Sequence, residues 1–262
     1  MTILDERRES ASGAAGVPAP AAYRAIQVLD AIAAHRGPAT LSEIAAAIPL
    51  PKSSTSNLLV TLEVTGMVRH VGTGWLLGYK AIEYGQAVLG STDLVAEFRR
   101  AVNTLPTLRR DTVLLATLDG AEVLYLARHD GQQPIRLASD IGRRMPAVVT
   151  SLGKAMLAAM PADVLSELLD GIDPLPRPTK RSHRTVAELR RDLVRVRERG
   201  YAIDDEQNTI GVTCLGVAIP GAVRPAAVST TLLSQRVTAD LRVQLVSELQ
   251  TLATRLAPFA VD

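Results

Sequence analysis

The stretch from Thr40 to Gly78 constrains this chain more than any other. Thr40-Leu41-Ser42-Glu43 fits the S/T-x-x-E pattern, in which hydroxyl and carboxylate satisfy each other's backbone N–H and open a helix. The apolar run behind it reaches only Ile48, and Pro49 stops it after about two turns. Leu50-Pro51-Lys52 is a tight connection, with Pro51 where a first helical turn accepts it. The helix expected over 52–65 changes character halfway. Lys52, Ser53, Ser54, Thr55, Ser56 and Asn57 are polar, whereas Leu58, Leu59 and Leu62 supply an anchoring face, and Gly66 caps the end. Met67–Val71, a glycine-bounded turn over 72–74 and Trp75–Gly78 then read as a hairpin. Ahead of this set, residues 21–35 form an amphipathic helix with Ala22, Ile26, Leu29 and Ala33 on one face, beside Ala25 and Ile32, ended by Gly37-Pro38.

Helix, short helix, tight turn, polar-headed helix and hairpin together describe a mainly α, winged helix-turn-helix domain over 21–80. A helix anchored at its C-terminal half is free to present its polar half outside the fold. Short hydroxyl and amide side chains suit phosphate oxygens and base edges, and a helix N-terminus favours an anion. Lys52, Ser53, Ser54, Thr55 and Asn57 are therefore placed to contact double-stranded DNA, with Arg24 and Arg69 on phosphate. Charge adds little. The 262 residues carry a net +2, and from Ala21 to Lys80 five Lys/Arg stand against three Asp/Glu. A module whose winged helix engages a protein partner stays open on these grounds.

Residues 1–20, rich in Ala, Gly, Pro and Ser without an apolar stretch, read as a disordered tail rather than a secretory signal. Residues 81–95 read as a linker helix, and 96–262 as a second domain. TVLLATL, an Asp119-Gly120 turn, AEVLYLARHD and PIRLAS give a hairpin and a third strand. SLGKAMLAAM, PADVLSELL and HRTVAELRRDLVRVRERG give helices, the last with its arginines on a solvated face. Two or three more strands follow over 200–233, then a closing amphipathic helix from Thr238. Helices packed on a mostly antiparallel sheet make an α+β layout. With aromatics at 3%, its core must be built from Ala, Val, Leu and Ile.

TLSEIAAAIPLPKSSTSNLLVTLEVTGMVRH resembles the helix-turn-helix of the IclR family of bacterial transcriptional regulators, and GWLLGYKAIEYG resembles that family's Tyr-x-Leu-Gly segment, with Trp75 in the aromatic position. Ser56-Asn57 departs from the His-Arg usual before the paired leucines, so base preference does not carry over. IGRRMPAVVTSLGKAMLA, GYAIDDEQNTIGVTCLGVAIP and VSTTLLSQRVT resemble the family's GAF-like effector-binding domain. The resemblance implies a ligand-responsive regulator, a repressor working as a homodimer or dimer of dimers on a pseudo-palindromic operator. It is switched by a small organic acid, aliphatic or aromatic. The resemblance places Leu137, Met145, Ser151, Leu152, Asp204, Val212, Cys214, Ser229 and Thr231 near the effector.

Enzymatic constellations are missing. Thr150–Lys154 ends like a phosphate-binding loop, yet Val148 stands where its first glycine belongs. Asp204-Asp205-Glu206 has no histidine or second acidic cluster beside it, and His35, His70, His129 and His183 show no ligand spacing. Cys214, in an apolar run, reads as an inert buried thiol, and there is no G-x-S-x-G elbow. No catalytic residue, metal or cofactor is expected. A single cysteine and no apolar run of membrane-spanning length point to the cytoplasm.

Overall fold

The structure, a computed structural model, describes residues 17–90, 93–132, 140–172 and 174–260, the Leu89 side chain excepted. Contacts divide the chain between Val88 and Leu89 into two compact units. Most of the expected tail, residues 1–16, lies outside the described residues, and Pro20 already opens the first helix.

The first unit runs α1 (Pro20–Ala33), α2 (Leu41–Ala47), α3 (Lys52–Val64), β1 (Val68–Val71), β2 (Gly74–Leu77) and the start of α4 (Lys80–Gly90). Its core joins Val28, Ile32, Ile44, Ile48, Leu59, Leu62 and Val68. The buried face of α1 differs from the expected one. Ile26 is exposed, whereas Val28 is buried beside Ile32, with Ala25 and Leu29 packed against them. Five alanines in this helix leave the apolar phase poorly defined, and packing settled it. At α2 the capping box forms: the Thr40 hydroxyl accepts the Glu43 N–H at 3.3 Å and the Glu43 carboxylate accepts the Thr40 N–H at 2.8 Å. Such a cap is worth about 1 kcal/mol. Gly66, at φ +76°, ends α3: Met67 N–H reaches Leu62 O and Gly66 N–H reaches Glu63 O, both at 2.9 Å, the two bonds of a Schellman motif.

β1 and β2 pair from Val68↔Leu77 to Val71↔Gly74, leaving the two-residue turn Gly72-Thr73, with Gly72 at φ +61°. Ala39 adds a bridge to Trp75 by two backbone bonds of 2.9 and 2.8 Å. A Cβ on Gly78 would lie 2.0 Å from Gly66 O, so only glycine lets the hairpin close on the end of α3.

The second unit contains α5 (Asp93–Asn103), β3 (Thr112–Asp119), β4 (Glu122–His129), β5 (Arg144–Pro146), α6 (Ser151–Ala159), α7 (Ala162–Asp170), α8 (Val186–Arg199), β6 (Ala202–Asp205), β7 (Val212–Ala218), β8 (Ala226–Leu233) and α9 (Ala239–Leu256). The linker helix expected to 95 is shorter than that. Leu94 and Val95 lie on α5 and are buried in the core of this unit beside Phe98 and Leu108, so apolar burial assigns them there. The strand expected at PIRLAS, 134–139, lies outside the described residues.

The sheet order is β5-β4-β3-β8-β7-β6, with every described pairing antiparallel. Period-2 alternation sends residues to two faces. On one, Val113, Leu115 and Val228 meet α5 and α9; on the other, Leu114, Ala116 and Ala227 meet α6, α7 and α8. The register slips between Leu115↔Ala127 and Ala116↔Tyr125, so β4 carries an extra residue, Leu126. That bulge lets Ala127 lie on the α5–α9 face while Tyr125 lies on the other. The β3–β4 loop is Gly120-Ala121, one residue later than expected, since Asp119 pairs with Glu122.

Arginines of α8 are less solvated than their spacing suggests. Arg190 bonds Ser166 at 3.0 Å, Arg197 bonds Ala158 O at 2.7 Å, and Arg199 bonds Tyr201 O and stacks on that ring.

Candidate DNA-binding surface and ligand cavity

In the first unit, α3 rests on Leu59 and Leu62 and turns Lys52, Ser53 and Asn57 to solvent, with Ser54 half-buried. Its N-cap, Pro51, provides no side-chain hydrogen bond, so the first-turn N–H groups remain available to an anion. Thr55 departs from expectation. It is fully buried, and its hydroxyl donates to Pro51 O at 3.1 Å. Four residues before Leu59 and seven before Leu62, it falls on the anchored side of the helix, turned away from solvent. The exposed row continues instead through Val60 and Thr61, with Ser56 half-buried beside it. The i, i+3/i+4 spacing from Ser53 and Asn57 carries that signal, which the uniform polarity of residues 52–57 conceals. Arg69 is exposed on the hairpin, its guanidinium 5.4 Å from the Tyr79 ring centroid. Arg24 is half-buried and its Nε has no partner among the described residues.

In the second unit, sheet register assembles a polar row. Asp204 pairs with Cys214, and Cys214 with Thr231, while Gly216 pairs with Ser229 and Ser229 with Leu114. These face the start of α6. A Cβ on Gly216 would come within 2.6 Å of Ser151 O, so the glycine lets the helix start lie against the sheet. Between them is a cavity of about 70 Å³. β3, β4 and β5 contribute Leu114, Tyr125 and Met145; the α6 start contributes Thr150, Ser151 and Leu152. Asp204, Asn208 and Thr209 close one side, and Cys214, Ser229 and Thr231 form the floor. Seven of the nine expected residues therefore meet at one cavity. Val212 does not line it: paired with Leu233, it sits one row further toward the sheet end. Leu137 lies outside the described residues. Leu114, Tyr125, Thr150, Asn208 and Thr209 also line it: register and the β4 bulge bring in the first two, the helix cap Thr150, and the loop after β6 the last two.

The cavity's two polar ends differ. At α6, Thr150 caps by accepting the Gly153 N–H at 3.0 Å, whereas the Ser151 and Leu152 N–H groups have no acceptor among the described residues. This end offers two free backbone donors beside the Ser151 hydroxyl. Opposite, Asp204 is 2% exposed. Its Oδ1 accepts N–H from Gln207 at 2.8 Å and Asn208 at 3.1 Å; its Oδ2 accepts no bond among the described residues. Burial pushes this carboxyl up to about 6, against the pull of those N–H groups and Lys154. Burial also drives the Cys214 thiol and Tyr125 phenol well above their ordinary ranges, so both stay neutral.

Behind the cavity wall, Lys154 is fully buried and donates to Asp192 at 2.9 Å, to Ile203 O and to the Gln207 amide oxygen. Three acceptors match the three donors of an ammonium, although desolvation pulls Lys154 below its usual value. Burial works to raise the Asp192 carboxyl, yet His183, 3.2 Å away, and Lys154 hold it well below the carboxylate range. Among the described residues, no three His, Cys, Asp or Glu side chains group as a metal site, and no helix is long and apolar enough to cross a membrane.

A winged helix-turn-helix followed by a GAF-like α+β unit with an internal polar cavity defines a ligand-sensing DNA-binding transcriptional regulator. Two family models match the chain: the IclR helix-turn-helix domain over residues 15–72 and the bacterial transcriptional regulator IclR C-terminal domain over 86–257. The chain belongs to the IclR family, whose members are DNA-binding transcriptional regulators and not enzymes. It is 31% identical over 202 residues to the transcriptional repressor IclR of Escherichia coli K12, covering 75% of this chain and 73% of that one. It also matches the crystal structure of the Thermotoga maritima IclR at 30% identity and a TM-score of 0.72, over 90% of this chain and 97% of that one. An IclR homologue from Microbacterium hydrocarbonoxydans, crystallised with 4-hydroxybenzoate, shares the fold at 23% identity and a TM-score of 0.77, over 91% and 99% of the two chains.

Proposed function

We propose that this regulator is a cytoplasmic repressor that binds a pseudo-palindromic operator and is switched by a small organic acid in the second unit. Lys52, Ser53, Ser54 and Asn57 contact DNA, and Arg24 and Arg69 contact phosphate; Ser56, Val60 and Thr61 extend the surface. It acts as a homodimer or dimer of dimers, so two α3 helices enter successive major grooves. Tyr79, Ile82 and Tyr84 are each more than half exposed in the single chain, apolar surface that a second copy would cover.

The observation that carries the effector reading is the pair of unpartnered N–H groups of Ser151 and Leu152 at the buried start of α6. Donors without acceptors in a recessed, partly apolar cavity suit a carboxylate. The bound 4-hydroxybenzoate of the Microbacterium homologue supports the same class. The test is fluorescence anisotropy on the upstream intergenic DNA, with salt titration and then a panel of small carboxylic acids. Saturable, sequence-dependent binding shifted by one acid is expected. Weak binding that ignores sequence would instead leave the winged helix to a protein partner.

A further inference from the structure

We infer that Asp204 sorts effectors by the group they present to it. Ionised, it accepts a hydrogen bond from a ligand hydroxyl; an oxo or carboxylate oxygen is admitted only after it takes up a proton from solvent. The inference rests on the acid-effector reading above and goes beyond it, to the ligand's second functional group and to a proton.

The geometry carries it. Oδ1 is occupied by the Gln207 and Asn208 N–H groups, which leaves Oδ2 as an unpartnered acceptor on the wall of a recessed cavity. At 2% exposure the carboxylate has little water to turn to. With the acid group of a ligand on the Ser151 and Leu152 N–H groups, whatever sits against Oδ2 must donate or be repelled. The α6 start and Asp204 line the same cavity, of about 70 Å³, so a small acid held at the first shares that cavity with the second.

The groups facing Asp204 leave it as the member of the cavity that titrates near neutrality. From α6, Lys154 approaches, but its ammonium is committed to Asp192 of α8, Gln207 and Ile203 O. From β7 and β4, Cys214 and Tyr125 are neutral, and Asp205, its chain neighbour, pushes Asp204 the same way as burial does. With the carboxyl titrating at about 6, a ligand requiring its protonated form loses affinity about ten-fold per pH unit above that point. A ligand that donates keeps a flat profile there.

The experiment is titration calorimetry of the full-length protein with two matched pairs, lactate with pyruvate and 2-hydroxybutyrate with 2-oxobutyrate, from pH 5.5 to 8.5. Buffers of different ionisation enthalpy report proton uptake. The 2-oxo acids are expected to weaken about ten-fold per unit above pH 6 and to take up one proton near pH 8. The 2-hydroxy acids should show neither effect. Asp204→Asn keeps an oxygen for Gln207 and Asn208 but turns an NH₂ to the cavity; it should abolish the slope and favour the oxo acid of each pair. Equal pH profiles within both pairs, in the wild type alone, would overturn the inference while leaving an acid effector standing. Binding of no acid at any pH would overturn both.

Discussion

The two units of this regulator put their polar chemistry in opposite places. In the first, the side chains proposed to work project from a helix whose other side is anchored by Thr55, Leu59 and Leu62. In the second, they are interior: Asp204, Ser151, Ser229 and Thr231 line a cavity, and Lys154 and Asp192 pair behind it. An exposed recognition surface can change its residues at little cost to folding. A buried sensing site cannot, because each polar group removed leaves a partner unsatisfied in a low-dielectric interior. Function and stability are therefore separable in one unit and coupled in the other.

Lys154→Met breaks the contrast most severely. It keeps volume but strips Asp192, Gln207 and Ile203 O of their shared donor, and a loss of about 3 kcal/mol is expected for the second unit. Urea unfolding followed as two transitions reads it; a loss below about 1 kcal/mol would mean that the buried pair does not hold this unit together.

Asp204→Asn should move stability the other way, and only at higher pH. The Asp204 carboxyl titrates at about 6, above its ordinary value of 3.8, so the native state holds its proton longer than the unfolded chain does. Its stabilising contribution is complete below the unfolded value and is lost as pH rises to 6. Removing the ionisable group should then stabilise the unit by up to about 3 kcal/mol at pH 7 and by nothing near pH 3.5. An equal effect at both values would exclude the titration as its cause.

In the first unit, Asn57→Ala should relax base preference at one operator position by about 1–3 kcal/mol with unchanged unfolding, read by competition among operator variants. Lys52→Ala should weaken all sequences alike and lower the salt slope by about one; a slope equal to wild type removes Lys52 from the phosphate contacts. Smallest of all is Thr55→Val, which should leave operator affinity within about two-fold, since the hydroxyl it loses serves Pro51. A ten-fold loss would return Thr55 to the DNA surface.

What was legible followed local rules. The Thr40–Glu43 box, the Gly66 cap and the Gly72 turn are patterns closed within about six residues, and all three form, the turn one residue shorter than its 72–74 reading. Phase was harder. In α1, alanines blurred the stripe and hid Val28; in α3, a run of six polar residues concealed Thr55 as an anchor. The cavity was legible by resemblance in seven of its lining residues. Tyr125, Asn208 and Thr209 gave no comparable signal, because their positions depend on a bulge in β4 and on the loop after β6.

Order and type of most described elements were legible in sequence alone, because caps, turns and apolar periodicity act over one or two turns of chain; the short β5 was not. Which face each element buries, and which polar groups end unpartnered in the interior, was decided by tertiary structure. Asp204 is an acidic residue at a strand end in the sequence. The two N–H groups on Oδ1 are local, from Gln207 and Asn208 in the loop that follows, but pairing with Cys214 and closure by the distant start of α6 are what make it a half-satisfied buried carboxyl.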